Sequence, residues 1–166
     1  MGDALRQLAG LLKQRAVIDH QIAKLIGYPA HPGHIGEFIA AAVFDIALNP
    51  SASEAAHDGY FRSGPLTEKS VNIKLYSRQS SLLDVVKSDL PSDHPDYYLV
   101  MVGPKGTSLS SKGTSAPLSI DAVYLFDAHE LLGLLKGYGV KLGVATSVRA
   151  KHWKDAEIFP AATNPL

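Results

Sequence analysis

Apolar positions in the first part of the chain recur at helical spacing. From Ala4 to Ile26, Leu5, Leu8, Leu12, Val17, Ile18, Ile22, Leu25 and Ile26 alternate with polar positions, which predicts one long or two short amphipathic helices. Gly27, Pro29 and Pro32-Gly33 stop the pattern, because glycine supplies a left-handed cap and proline cannot donate to a continuing helix. The next run, His34 to Leu48, is apolar nearly all round and ends at Asn49-Pro50, so it predicts a second helix set deep in the fold. These signals divide the chain into an N-terminal helical segment (residues 1–30), a core (31–160) and a frayed tail (161–166).

Beyond residue 50 the hydrophobic period shortens. His57 to Phe61 and Ser70 to Tyr76 are β-prone, and the intervening RSGPLTEK carries the turn signal Gly64-Pro65, so a hairpin is expected. Ser81 to Lys87 fits either a short helix or a strand. Tyr97 to Val102 is almost wholly apolar, as suits a central buried strand. Gly103 to Ser119 is rich in Gly, Ser, Thr, Lys and Pro and reads as a long loop, a feature often tied to function. A strand over Ile120 to Phe126 should follow, then a short helix over Ala128 to Lys136 that Asp127 can cap. Val140 to Val148 reads as a strand or extended piece, and Arg149 to Glu157 as a last helical turn or two. The expectation is a single α/β domain with a mixed central sheet flanked by helices.

Composition narrows the chemistry. With 166 residues, 46% apolar and 19% charged, the chain can build one hydrophobic core and is not collagen-like, a coiled-coil rod or wholly disordered. The lack of cysteine removes disulfides, thiolate zinc sites and cysteine nucleophiles. MGDALRQLAGLLKQ carries charge every few residues, so neither a signal peptide nor a membrane anchor is expected and a cytoplasmic location is the default. No nucleophile elbow, phosphate-binding loop or zinc-protease helix motif occurs. GYGVKLG, residues 137–143, has the wrong glycine spacing for a dinucleotide loop and follows a helix rather than a strand.

Sixteen basic side chains balance sixteen acidic ones, but not evenly along the chain. Between Glu130 and Asp155 lie Lys136, Lys141, Arg149, Lys151 and Lys154 with no acid among them, a candidate phosphate-facing surface for nucleic acid. The plainer alternative is a set of solvated side chains on unrelated faces.

Four residues carry the candidate chemistry. Glu37 is the only ionisable side chain between His34 and Asp45, and it shares a helical stripe with Ala41, Phe44 and Leu48. A carboxylate so placed either meets a functional partner or is held by the helix N-terminus. Gly33 and Gly36 beside it would let another element approach closely. Asn72 and Lys74, two apart in a strand, project to one face while Val71, Ile73 and Leu75 project to the other. If the hairpin forms, Asp58 lies beside that polar face. Asp58, the Asn72 amide oxygen and Glu37 then suit a hard cation such as Mg²⁺, with Lys74 placed to neutralise charge developing on a phosphate.

In order and spacing, Glu37, Asp58 and Asn72-Ile73-Lys74 resemble the PD-(D/E)XK nuclease superfamily, also called restriction-endonuclease-like. The wider chain, through GHIGEFIAA, DGYFRSGPL, SVNIKLYS, VYLFDAHELL and GVKLGVATSVR, also resembles a small bacterial domain family of that type over most of residues 15–160. The resemblance implies a restriction-endonuclease-like fold. It also implies a Mg²⁺-dependent (or Mn²⁺-dependent) phosphodiesterase acting on DNA rather than RNA, in restriction, defence or repair. Glu37, Asp58, Asn72 and Lys74 would be its catalytic residues, the first three holding the metal. Asn72 departs from the pattern, which asks for Asp or Glu, although some members carry Gln there. Two alternatives stay open: a catalytically inactive nuclease-fold module that binds nucleic acid or a protein partner, and an unrelated α/β protein in which Glu37 and Lys74 form a buried ion pair. A homodimer is compatible with each.

Overall fold

The apolar run Tyr97–Val102 forms strand β5 with the bounds its composition predicts, and the rest of the fold is arranged about it. In a computed structural model describing residues 2–50, 57–77, 80–88, 90–103 and 119–161, β5 is an inner strand of a six-stranded mixed sheet. The other members are β1 (Ile46–Leu48), β2 (Gly59–Phe61), β3 (Ser70–Tyr76), β6 (Ala122–Asp127) and β8 (Glu157–Phe159), in the order β1-β2-β3-β5-β6-β8. β3 runs parallel to β5 from Val71 opposite Tyr97 to Tyr76 opposite Val102, and β6 runs antiparallel along the other side of β5. A second, two-stranded sheet joins β4 (Leu82–Leu83) to β7 (Thr146–Ser147).

Alternation along β5 feeds two cores. Tyr98, Val100 and Val102 pack with Tyr124, Phe126 and the α3 residues Leu131 and Leu135, where α3 is Ala128–Gly137. Trp153, on α4 (Ala150–Asp155), stands edge-on to Tyr124 and Phe126 at 4.9 and 5.0 Å between ring centres. Leu99 and Met101 face the other way and join Val71, Ile73, Val123 and Phe61 beneath Ala40 of α2 (Pro32–Phe44). The hairpin forms as expected: Gly59 pairs with Val71 and Tyr60 with Ser70. Asp127 caps α3 as expected, accepting from the Glu130 amide at 2.9 Å.

Other elements depart from the sequence pattern. The N-terminal segment is one uninterrupted helix, α1 (Gly2–Ile26). The second helix stops at Phe44, and Ile46–Leu48 become an edge strand. Asp45 makes the break in the left-handed region at φ 51°, where Arg62 pairs with its carboxylate and the Ser63 hydroxyl donates to it. These contacts come from the start of the hairpin connection, well along the chain, which the unbroken apolar run could not reveal. Nor is α2 buried all round, since Phe38 and Val43 are 41% and 66% exposed. Of Val140 to Val148, only Thr146–Ser147 is strand, and β8 replaces the last residue of the expected C-terminal helix. Residues 104–118 of the expected loop and 162–166 of the tail lie outside the described residues. Among the described residues no helix is long and apolar enough to cross a membrane.

Candidate functional site

The two edges of β3 are unequal. One is paired with β5 along six residues, whereas among the described residues the other is paired with β2 only at Ser70 and Val71. Beyond them, at Ile73, the next inward amide is met by a side chain: its N–H donates to Oδ2 of Asp58. The main chain of Asp58 is held from both sides, its N–H donating to Val71 O and its C=O accepting from Asn49 N, each at 2.8 Å. One register step beyond Gly59 and Val71 sets Asp58 opposite Asn72. The Asp58 carboxylate therefore sits in the plane of the sheet, where β2 leaves β3.

This position lets groups from both layers reach it. Asn72 and Lys74 alternate with Ile73 and so project to the face that holds Tyr98 and Val100, with Asn72 nearly buried and Lys74 half-buried. Glu37 comes from α2 on the opposite face. α2 lies close to β3 because residue 36 is glycine: a Cβ there would stand 2.7 Å from Cβ of Leu75. Gly33 has open space around it and makes no such approach.

The electrostatics tie three of the four residues together. Burial raises the Glu37 pKa above the usual carboxylate value and the nearby charge of Asp58 raises it further, while His34 and Lys74 pull it back. Burial likewise raises that of Asp58, against the Ile73 hydrogen bond and the charges of Lys74 and His57. Two partly desolvated carboxyls thus share one field and the charge of Lys74 acts on both, but Lys74 is within 4 Å of neither, so the Glu37–Lys74 ion pair of the alternative reading is not formed. Among the described residues no group of three or more His, Asp or Glu is gathered to hold a metal ion. A cation here would be held by two carboxylates, an amide oxygen and water, a donor set that suits Mg²⁺. His34 was not foreseen as a neighbour, although its place one turn before Glu37 on α2 was the available signal.

The five basic residues are all exposed. Arg149 lies over the Tyr138 ring, its guanidinium carbon 3.6 Å from the ring centre, and Tyr138 stacks on His152. Lys136 is in the last turn of α3, two residues before Tyr138. Lys151 and Lys154 are on α4, and Lys141 is in the connection between the helices. Lys154 also borders a cavity of about 370 Å³ with Ser80, Ser81 and Trp153, and none of the four candidate catalytic residues lines it. No protein-family model, curated protein or solved structure significantly matches the chain.

Proposed function

We propose that this protein is a Mg²⁺-dependent phosphodiesterase of the restriction-endonuclease-like class, acting on DNA, with Mn²⁺ able to replace Mg²⁺. The observation that carries this reading is the pair of partly buried carboxyls, Glu37 and Asp58, in one field with the charge of Lys74, at the point where the Asp58 carboxylate takes the Ile73 amide of β3. Raising carboxyl pKa values costs stability at neutral pH, and a bound cation offsets that cost. When bound, such a cation supplies Lewis acidity toward a phosphoryl oxygen. Asp58 and Glu37 would hold it with Asn72, the Ile73 amide fixes the Asp58 carboxylate, and Lys74 would offer positive charge to a phosphate approaching β3. Arg149, Lys136, Lys141, Lys151 and Lys154 contact the backbone of the duplex.

The neutral Asn72 favours a second reading, a module that binds nucleic acid without cutting it. One set of measurements separates them. The enzyme reading expects cleavage of plasmid or linear DNA with Mg²⁺ or Mn²⁺ and none with chelator. It expects Lys74→Ala to lower the rate by about 10² or more while Tm stays within about 4 °C of the parent. Mg²⁺ should raise the Tm of the parent and not of Asp58→Ala. A parent that neither cuts DNA or RNA nor shifts its Tm with either ion, yet binds DNA with strong salt dependence, supports the module. If all five basic residues engage phosphates, the slope of log K against log salt is about −4.5.

A further inference from the structure

α1 is 25 residues long and has no buried residue. Its only half-covered positions are Asp19, Ile22, Ala23 and Ile26, which turn toward the body of the protein. Roughly 60° around the helix, at 3.6 residues per turn, and sharing Ile22 at its edge, runs a stripe: Leu8, Leu11, Arg15, Ile18, Ile22 and Leu25, spaced by three and four residues in alternation. Leu8, Leu11, Ile18 and Leu25 are 50%, 55%, 55% and 74% exposed, and Leu5 and Leu12 beside them are 61% and 55% exposed. Six large apolar side chains, each at least half exposed, thus lie along one helix, more than singly scattered surface hydrophobes would give.

We propose that this stripe pairs two copies of the chain, α1 against α1, antiparallel. The charges in the stripe choose both occupant and direction. Arg15 and Asp19 already pair within the helix at 3.4 Å and stand near its midpoint. In an antiparallel pair centred between residues 16 and 17, Leu8 meets the partner's Leu25 and Leu11 meets the partner's Ile22. Arg15 then lies beside the partner's Ile18 and Asp19, and symmetry makes each contact twice. A parallel pair would set Arg15 against its own copy in an apolar seam. A lipid surface would have to take up Arg15 and Asp19 at the centre of the inserted face. The paired segment is one helix of 25 residues, so association is expected in the micromolar range. This inference does not depend on the nuclease reading.

The test uses the full chain. Light scattering at about 100 μM should give twice 17.8 kDa. Leu11→Glu and Ile18→Glu should each give a monomer whose Tm for the body is unchanged, because α1 buries nothing there. Arg15→Glu and Asp19→Arg should each weaken pairing at least tenfold, and the double exchange should restore it while keeping the pair within the helix. The chain has no cysteine, so direction can be read by oxidation: Leu8→Cys mixed with Leu25→Cys should cross-link, and neither should do so alone. A monomer at this concentration overturns the proposal. So does cross-linking of Leu8→Cys to itself, or binding of α1 to anionic phospholipid vesicles without doubling of the mass.

Discussion

The two sides of β3 divide the work of the molecule. Toward β5, each residue from Val71 to Tyr76 has a partner and the neighbouring strand is buried from Tyr98 to Val102. Toward β2, the described pairing covers two residues and a carboxylate takes the Ile73 amide. On this side the Ile73 amide is satisfied by the Asp58 carboxylate instead of a backbone carbonyl, which fixes that carboxylate in the field of Glu37 and Lys74. The contrast teaches that the candidate site depends on a side chain standing in the ladder, set against a strand edge that is paired along its length.

Substitutions should separate the two sides. The largest effect is expected on the closed side: Tyr98→Ala removes a fully buried ring whose hydroxyl accepts from Val86 N, and should cost about 3–5 kcal/mol in chemical denaturation. A Tyr98→Ala protein within 1 kcal/mol of the parent would mean that this side does not hold the fold. Gly36→Ala comes next. Its new Cβ would press on Leu75 and push α2 away from β3, costing about 1–3 kcal/mol and displacing Glu37 from Asp58. Loss of activity with unchanged stability would contradict that linkage.

The smallest effect, with the opposite sign, is expected on the open side. Asp58→Asn keeps an acceptor for Ile73 and removes a desolvated charge. Because burial raises the folded pKa of Asp58 above its unfolded value, the stability contributed by its proton is present at low pH. That stability is lost as pH rises through the folded value. Without metal, the variant should therefore melt above the parent at neutral pH by a few degrees, and the gap should close as pH falls toward 4. A gap that widens on acidification would show that Asp58 is a stabilising, well-paired carboxylate instead.

Legibility in the sequence followed locality. β5 could be read to the residue because burial on both faces makes an unbroken apolar run, and the α3 cap because Asp127 and Glu130 are neighbours on the chain. That Asn72 and Lys74 share a face followed from alternation alone. The helix-to-strand break at Asp45 was hidden because Ile46 and Leu48 suit either state and the deciding contacts, Arg62 and Ser63, come from a later turn. β8 was hidden because three residues carry too little pattern. In the site, residue order was visible but the capture of the Ile73 amide was not, since it depends on where β2 stops pairing.

The outermost strands of the six-stranded sheet, β1 and β8, are each three residues long, and each has a proline shortly beyond its end, Pro50 and Pro160. At about 3.3 Å per residue such a rim spans only about 10 Å, too little for a foreign strand to gain a stable register. At those two rims a sheet built around so apolar a central strand is thereby a poor template for edge-to-edge growth.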